Sequence, residues 1–159
     1  MTDVTRYDKL SVRLTTCKLL VKRLHEDARM PEKSHTSDLG YDLFSLENVM
    51  LGPNVPTKVR TGIACQFPSG YGAIIKDRSG TASKKSLHVV AGVIDQGYTG
   101  EIVVVLANYN ERTKWHAIEK GEKFAQMLLY PVINFPIEEV DEIVSSDGRG
   151  SAGFGSTGS

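Results

Sequence analysis

The chain has 159 residues, enough to bury one good hydrophobic core but hardly two, so it reads as a single domain. Lys plus Arg and Asp plus Glu each number 19, which leaves no net positive field to hold a nucleic-acid backbone, and any anionic ligand must meet local charges. The two cysteines, Cys17 and Cys65, fit neither a zinc spacing nor a dense disulfide framework; the four histidines (His25, His35, His88, His116) are scattered, and no apolar run approaches the roughly 20 residues of a membrane span. With a polar, charged start and no signal-peptide core, the expectation is an intracellular, cytoplasmic soluble protein with no protein-ligated zinc, no nucleic-acid partner and no membrane partner.

In chain order, LLVKRL (19 to 24) is the first candidate strand. TKVRTGIACQF (57 to 67) places Val59, Thr61, Ile63, Cys65 and Phe67 at alternate positions, the period of a half-buried strand, with Lys58, Arg60 and Gln66 opposite. A Pro-Ser-Gly turn then leads into Ala73, Ile74 and Ile75, so residues 57 to 76 are predicted to form a β-hairpin. The stretch GTASKKS after Arg78 and Ser79 is the best helix candidate, because nothing else repeats apolar residues at helical spacing. LHVVAGVI (87 to 94), EIVVVLANY (101 to 109) and KFAQMLLYPV (123 to 132) are further strands, the middle one apolar on both faces. Many short strands with close turns predict an all-β domain over 1 to 147, with residues before about Lys18 as an extension of no assigned role. The tail GRGSAGFGSTGS (148 to 159) has one large apolar side chain, Phe154, and cannot order itself by burial; it is either a loose terminus or a mobile arm that orders over a ligand.

Five segments could carry chemistry, each with a plainer reading beside it. Asp38 and Asp42 in SDLGYDLFS flank a Gly-Tyr pair and could be turn formers. Arg78, Ser79 and Gly80 precede the helix candidate, where amides, a hydroxyl and a guanidinium suit a phosphate, or simply start a helix. In AGVIDQGYTGEIVVV, Asp95, Gln96, Gly97 and Tyr98 form the predicted tip of a second hairpin, with Val93 and Ile94 as apolar walls that could hold the Asp95 carboxylate ready as a general base. Gln126 interrupts an apolar strand in GEKFAQMLL and either satisfies backbone groups or projects into a polar site. Arg149, Phe154, Ser156 and Thr157 combine a cation, an aromatic ring and two hydroxyls that could clamp a nucleotide.

Taken in this order, GYDL (40 to 43), RSG (78 to 80), AGVIDQGYTGEI (91 to 102), GEKFAQ (121 to 126) and RGSAGFGSTG (149 to 158) resemble the five motifs of the trimeric dUTPase family, across about residues 19 to 159. The resemblance implies a jelly-roll-like β fold with one short helix, a homotrimer whose active sites draw on more than one subunit, and hydrolysis of dUTP to dUMP and pyrophosphate. That activity limits uracil in DNA and supplies dUMP for dTMP synthesis. By motif, Asp95 would activate the water that attacks the α-phosphorus. The backbone around Gly92, Val93 and Ile94 would pair with uracil and exclude the thymine methyl, and the Tyr98 ring would exclude a 2'-hydroxyl. Arg78, Ser79, Gly80 and Gln126 would engage the phosphate chain, Arg149, Gly155, Ser156 and Thr157 its outer end, and Phe154 would stack on the base.

The resemblance also implies Mg2+ held chiefly by triphosphate oxygens and water, with Asp42 bonding a metal water or orienting Arg78. One departure is Asp77, where relatives often carry proline or another uncharged residue; an acid there could pair with Arg78 or point outward. Two other readings compete with this one. A dCTP deaminase would need a group beside C4 of the base, usually a glutamate in that family, whereas this chain has Asp95 in a VID context. A nucleotide-sensing regulatory module shares the fold, but Asp95, Tyr98, Arg149 and Phe154 favour an enzyme.

Overall fold

A computed structural model describes residues 18 to 111 and 114 to 144. It contains ten strands and one helix in those residues. The strands are β1 (Leu20–Arg23), β2 (Tyr41–Phe44), β3 (Val49–Leu51), β4 (Thr57–Gln66), β5 (Tyr71–Asp77), β6 (Leu87–Ala91), β7 (Val93–Ile94), β8 (Glu101–Asn108), β9 (His116–Ile118) and β10 (Lys123–Pro131). The helix, α1, spans Ser79–Lys85 between β5 and β6.

Two four-stranded sheets share one apolar core. The first runs β1-β4-β8-β6, the second β2-β10-β5-β7, and a short β3-β9 pair stands apart. Alternation does what the pattern requires: Val59, Ile63 and Cys65 of β4 and Ile102, Val104 and Leu106 of β8 are buried, facing Leu43 of β2, Ile75 of β5, and Phe124 and Met127 of β10 in a single cluster. Burying side chains of this size contributes roughly 1.5–3 kcal/mol each, which more than covers the modest intrinsic preference of any one strand. Burial also raises the Cys65 thiol to about 11, so it is a small hydrophobe here rather than a reactive group.

The strands predicted at 19 to 24, 57 to 67, 101 to 109 and 123 to 132 are present as β1, β4, β8 and β10, and β2, β3 and β9 are strands the sequence did not predict; both predicted hairpins are absent as paired units. β4 pairs with β1 and β8, whereas β5 pairs with β10 and β7. The turn at 67 to 70, closed by the Tyr71 amide donating to the Pro68 carbonyl at 3.0 Å, therefore carries the chain from one sheet to the other. Gly70 at φ 82 supplies the left-handed residue such a turn needs. The second case is parallel: β7 pairs with β5, while β8 pairs with β4 and β6, so Asp95 to Tyr98 also bridge sheets. Each strand buries one face in the common core, and a chain that crosses the core between strands satisfies that burial without local pairing.

The predicted strand at 87 to 94 divides for the same reason. β6 belongs to the first sheet and β7 to the second, and Gly92 is the point of passage. Its carbonyl accepts the Ile75 amide at 2.7 Å, and a Cβ there would stand 2.8 Å from the Ile75 Cβ and 2.9 Å from its carbonyl oxygen, so only glycine fits. The helix ends at Ser86, which adopts a left-handed conformation (φ 51) and donates its amide to the Ala82 carbonyl.

Candidate active site

The site residues gather in two places. At the first, β10 lies between β2 and β5, and its register puts Gln126 opposite Asp42 on one side and opposite Lys76 on the other. Asp42 therefore meets the end of β5, where Arg78 begins the turn into α1. A cleft of about 300 Å³ opens there, lined by Ser34, Asp38, Leu39, Gly40, Asp42, Arg78, Ser79 and Gln126.

The cleft is held by charge. Arg78 Nε donates to Asp42 Oδ1 at 2.7 Å and Nη1 to the Lys123 carbonyl at 3.2 Å, which fixes the plane of the guanidinium. Lys123 Nζ lies 3.0 Å from Asp42 Oδ2 and 2.8 Å from Glu32 Oε1; its hydrogen bonds to these two carboxylates hold the ammonium above the usual lysine range. Both oxygens of Asp42 are thus engaged by cations, and of the two roles implied for it, orienting Arg78 is the one visible in the geometry. Gln126 Nε2 donates to the Asp77 carbonyl at 2.7 Å, and its Oε1 lies over Gly40, where a Cβ would collide with it. Ser79 is exposed and Gly80 half-buried in the first turn of α1.

Asp77 neither pairs with Arg78 nor points into solvent. Its carboxylate turns across to β6, with Oδ2 2.9 Å from His88 Nδ1 and Oδ1 accepting the Val89 amide at 2.6 Å. Lys123, Glu32 and His88 were not singled out from the sequence. Lys123 sits inside GEKFAQ, beside a residue the motif already marks, whereas His88 is an ordinary strand residue until the sheets are assembled.

The second place is the turn between β7 and β8. A hollow of about 150 Å³ is lined by Val93, Ile94, Asp95, Tyr98, Glu101 and Val103. Asp95 is exposed at its mouth, and the walls expected from Val93 and Ile94 differ: Val93 is 77% exposed, while Ile94 is half-buried. The turn is closed by the Tyr98 amide on the Asp95 carbonyl at 3.1 Å, and Gln96 Oε1 accepts the Gly70 amide at 2.9 Å. The Tyr98 hydroxyl donates to the Glu101 carbonyl at 3.0 Å, and the ring lies so close to Gly100 that a Cβ there would be 2.6 Å from the hydroxyl oxygen. Glu101 is anchored in turn by Arg60, by an ion pair at 3.0 Å, and by the Gly62 amide at 2.8 Å.

The two hollows share no lining residue. Arg149, Phe154, Gly155, Ser156 and Thr157 lie outside the described residues, as do residues 1 to 17. Among the described residues no three His, Cys, Asp or Glu side chains form a group that could hold a metal, and no helix is long and apolar enough to cross a membrane.

Comparison with known proteins agrees on one family. A family model described as dUTPase matches residues 26–158. The chain is similar to the deoxyuridine 5'-triphosphate nucleotidohydrolase of Clostridium tetani, with 42% identity over 91% of this chain and 99% of that protein. It is 44% identical to the enzyme of the same name from a Hydrogenobaculum species, over 89% and 98% of the two chains. Among solved structures, the dUTPase of Staphylococcus bacteriophage 80alpha with dUpNHpp has a TM-score of 0.82 at 34% identity, covering 89% of this chain and 99% of its own. A mutant dUTPase from S. aureus phage phi11, whose structure reveals the coordination of a structural Mg(II) ion, has a TM-score of 0.73 at 31% identity, covering 79% and 97%.

Proposed function

The chain belongs to the dUTPase family, and on that premise we propose that it hydrolyses dUTP to dUMP and pyrophosphate with Asp95 as general base. A water held by the Asp95 carboxylate attacks the α-phosphorus and gives its proton to that carboxylate. The new P–O bond forms opposite the bridging oxygen, the bond from the α-phosphorus to that oxygen breaks, and the electron pair leaves with pyrophosphate. The reading is supported by an Asp95 that is exposed, with Tyr98 and Ile94 lining the same small hollow.

The observation that carries the proposal is the cleft at Arg78. A guanidinium locked by Asp42 and by the Lys123 carbonyl needs no reorganisation to meet a triphosphate. Ser79, Gly80 and Gln126 add polar groups at the same cleft. The Gly92–Val93–Ile94 backbone reads the uracil edge, and Tyr98, held against Gly100, packs on the deoxyribose and excludes UTP. Magnesium, when bound, supplies charge neutralisation to the triphosphate. The donor set would suit an ion held mainly by phosphate oxygens and water, since the described carboxylates make no cage and Asp42, already bonded to two cations, would bond a metal water rather than the ion.

The active unit is a homotrimer in this reading. The phosphate cleft and the Asp95 hollow of one chain share no lining residue, an arrangement that suits a site completed by neighbouring copies. Residues 132 to 144 run outside regular structure with Ile133, Phe135, Ile137, Ile143 and Val144 exposed, an apolar ribbon of the kind that a second copy covers. The arm 148 to 159 closes the site, with Phe154 on the base and Arg149, Gly155, Ser156 and Thr157 on the phosphates. The protein acts on the cytoplasmic nucleotide pool.

Pyrophosphate release from dUTP, dCTP, dTTP and UTP, side by side with magnesium, tests the proposal. Release from dUTP alone is expected. Ammonia from dCTP would instead identify a deaminase, and silence on all four would remove the catalytic reading.

A further inference from the structure

We propose that Asp77 and His88 form a clasp that positions the phosphate-binding end of the site, and that the clasp keeps the Asp77 carboxylate away from the triphosphate. The inference rests on the assignment of Arg78, Ser79, Gly80 and Gln126 to the phosphate chain. Asp77 is the last residue of β5 and immediately precedes Arg78. Its carboxylate holds β6 of the other sheet by two bonds, to His88 Nδ1 at 2.9 Å and to the Val89 amide at 2.6 Å. Donation to a carboxylate requires the hydrogen on Nδ1 of the imidazole. The ring is steadied on its other side by Tyr109, with centroids 5.4 Å apart and planes tilted by 47°.

The clasp closes a loop from 77 to 88 that consists of Arg78, α1 and the Ser86 stop, so it ties the two ends of the segment that presents Ser79 and Gly80. The main chain of the same residue fixes another contact, because the Asp77 carbonyl accepts Gln126 Nε2 at 2.7 Å. One residue therefore sets the height of Gln126 through its backbone and the base of α1 through its side chain. There is also a negative role. A carboxylate one residue from Arg78 would compete with phosphate for the guanidinium, and His88 together with the Val89 amide takes up both of its oxygens on the far side.

The test compares the wild-type protein with His88→Ala and His88→Asn, since the asparagine amide can donate to Asp77 from about the position of Nδ1. Thermal unfolding is followed in parallel; the His88 side chain is 40% exposed, and its removal leaves the core intact. His88→Ala is expected to raise KM for dUTP about tenfold with kcat within about twofold, as a shift of the phosphate-binding groups would, while inhibition by deoxyuridine, which has no phosphate, stays unchanged. His88→Asn is expected to recover most of the loss. An unchanged KM in His88→Ala, an equal loss of deoxyuridine inhibition, or a His88→Asn no better than alanine would each overturn the clasp. If the wild-type chain released no pyrophosphate, the proposed activity would fail on its own, and affinity for dUpNHpp in the same three proteins would decide the clasp by the same comparison.

Discussion

The cleft at Arg78 and the turn at Asp95 are built in opposite ways. Around Arg78, four segments are cross-braced: Asp42 and Lys123 grip the guanidinium, Gln126 grips the Asp77 carbonyl, and Asp77 grips β6. Around Asp95 the bracing stops at the flanks. Gln96 and Tyr98 are tied down, yet Asp95 itself is exposed at the mouth of the hollow. On the proposed assignment, the contrast means that the phosphate chain would meet charges preset by pairing at Arg78, whereas Asp95 would meet the substrate as an exposed carboxylate.

Four perturbations sharpen or break this contrast. The largest effect is expected from Asp95→Asn, which removes the proposed base and should lower kcat by about a thousandfold, within the usual range for loss of a general base, while dUpNHpp affinity and melting temperature stay near wild type. Asp42→Ala, by contrast, removes one partner each from Arg78 and Lys123, leaving them the Lys123 carbonyl and Glu32, and should lower the denaturation midpoint in a denaturant titration, along with affinity. Were Asp95→Asn the destabilised variant and Asp42→Ala the stable one, the contrast would be reversed.

Next in size, deletion of residues 148 to 159 should lower the rate about a hundredfold through loss of closure and positioning, with the assembly intact by sedimentation. Full activity in the truncated chain would assign the Asp95 end to the described residues alone.

The smallest effect concerns a group remote from both ends. Burial, with Lys85 nearby, lowers the His116 pKa below its ordinary 6.5, and its Nε2 is enclosed without a partner among the described residues. A histidine depressed in the folded state binds its proton more readily when unfolded, so its stabilising share is present above about pH 6.5 and is lost as pH falls below that value. Melting temperature should accordingly drop less between pH 7 and 5 in His116→Gln than in the wild type, and identical slopes would remove His116 as the cause.

Much of the architecture was legible in β-branched runs and alternation. The strands expected at 57 to 67, 101 to 109 and 123 to 132 became β4, β8 and β10, each ending one residue short, and the helix expected from Gly80 begins one residue earlier, at Ser79. Pairing was not legible, because alternation states which face is buried and not which neighbour supplies the hydrogen bonds. Pro68-Ser69-Gly70 carries the same turn signal whether the chain folds back or crosses the core. β3 and β9, three residues each, are too short for a period to register. Within the site, Arg78, Ser79, Gln126, Asp95 and Tyr98 were marked by residue type among glycines and turns. His88 was not, since its meaning comes from Asp77 in the opposite sheet.

β10 is the last strand among the described residues, yet it lies between β2 and β5 and holds both. The second sheet cannot close until residues 123 to 131 have left the ribosome, and the ladder joining Thr57 to Leu106 is comparably long-range. Such wiring predicts slow folding, because distant segments must meet before any ladder repays the lost chain entropy. During synthesis, then, Asp42 and Arg78 wait for Gln126 and Lys123, and the phosphate cleft is among the last parts of the domain to exist.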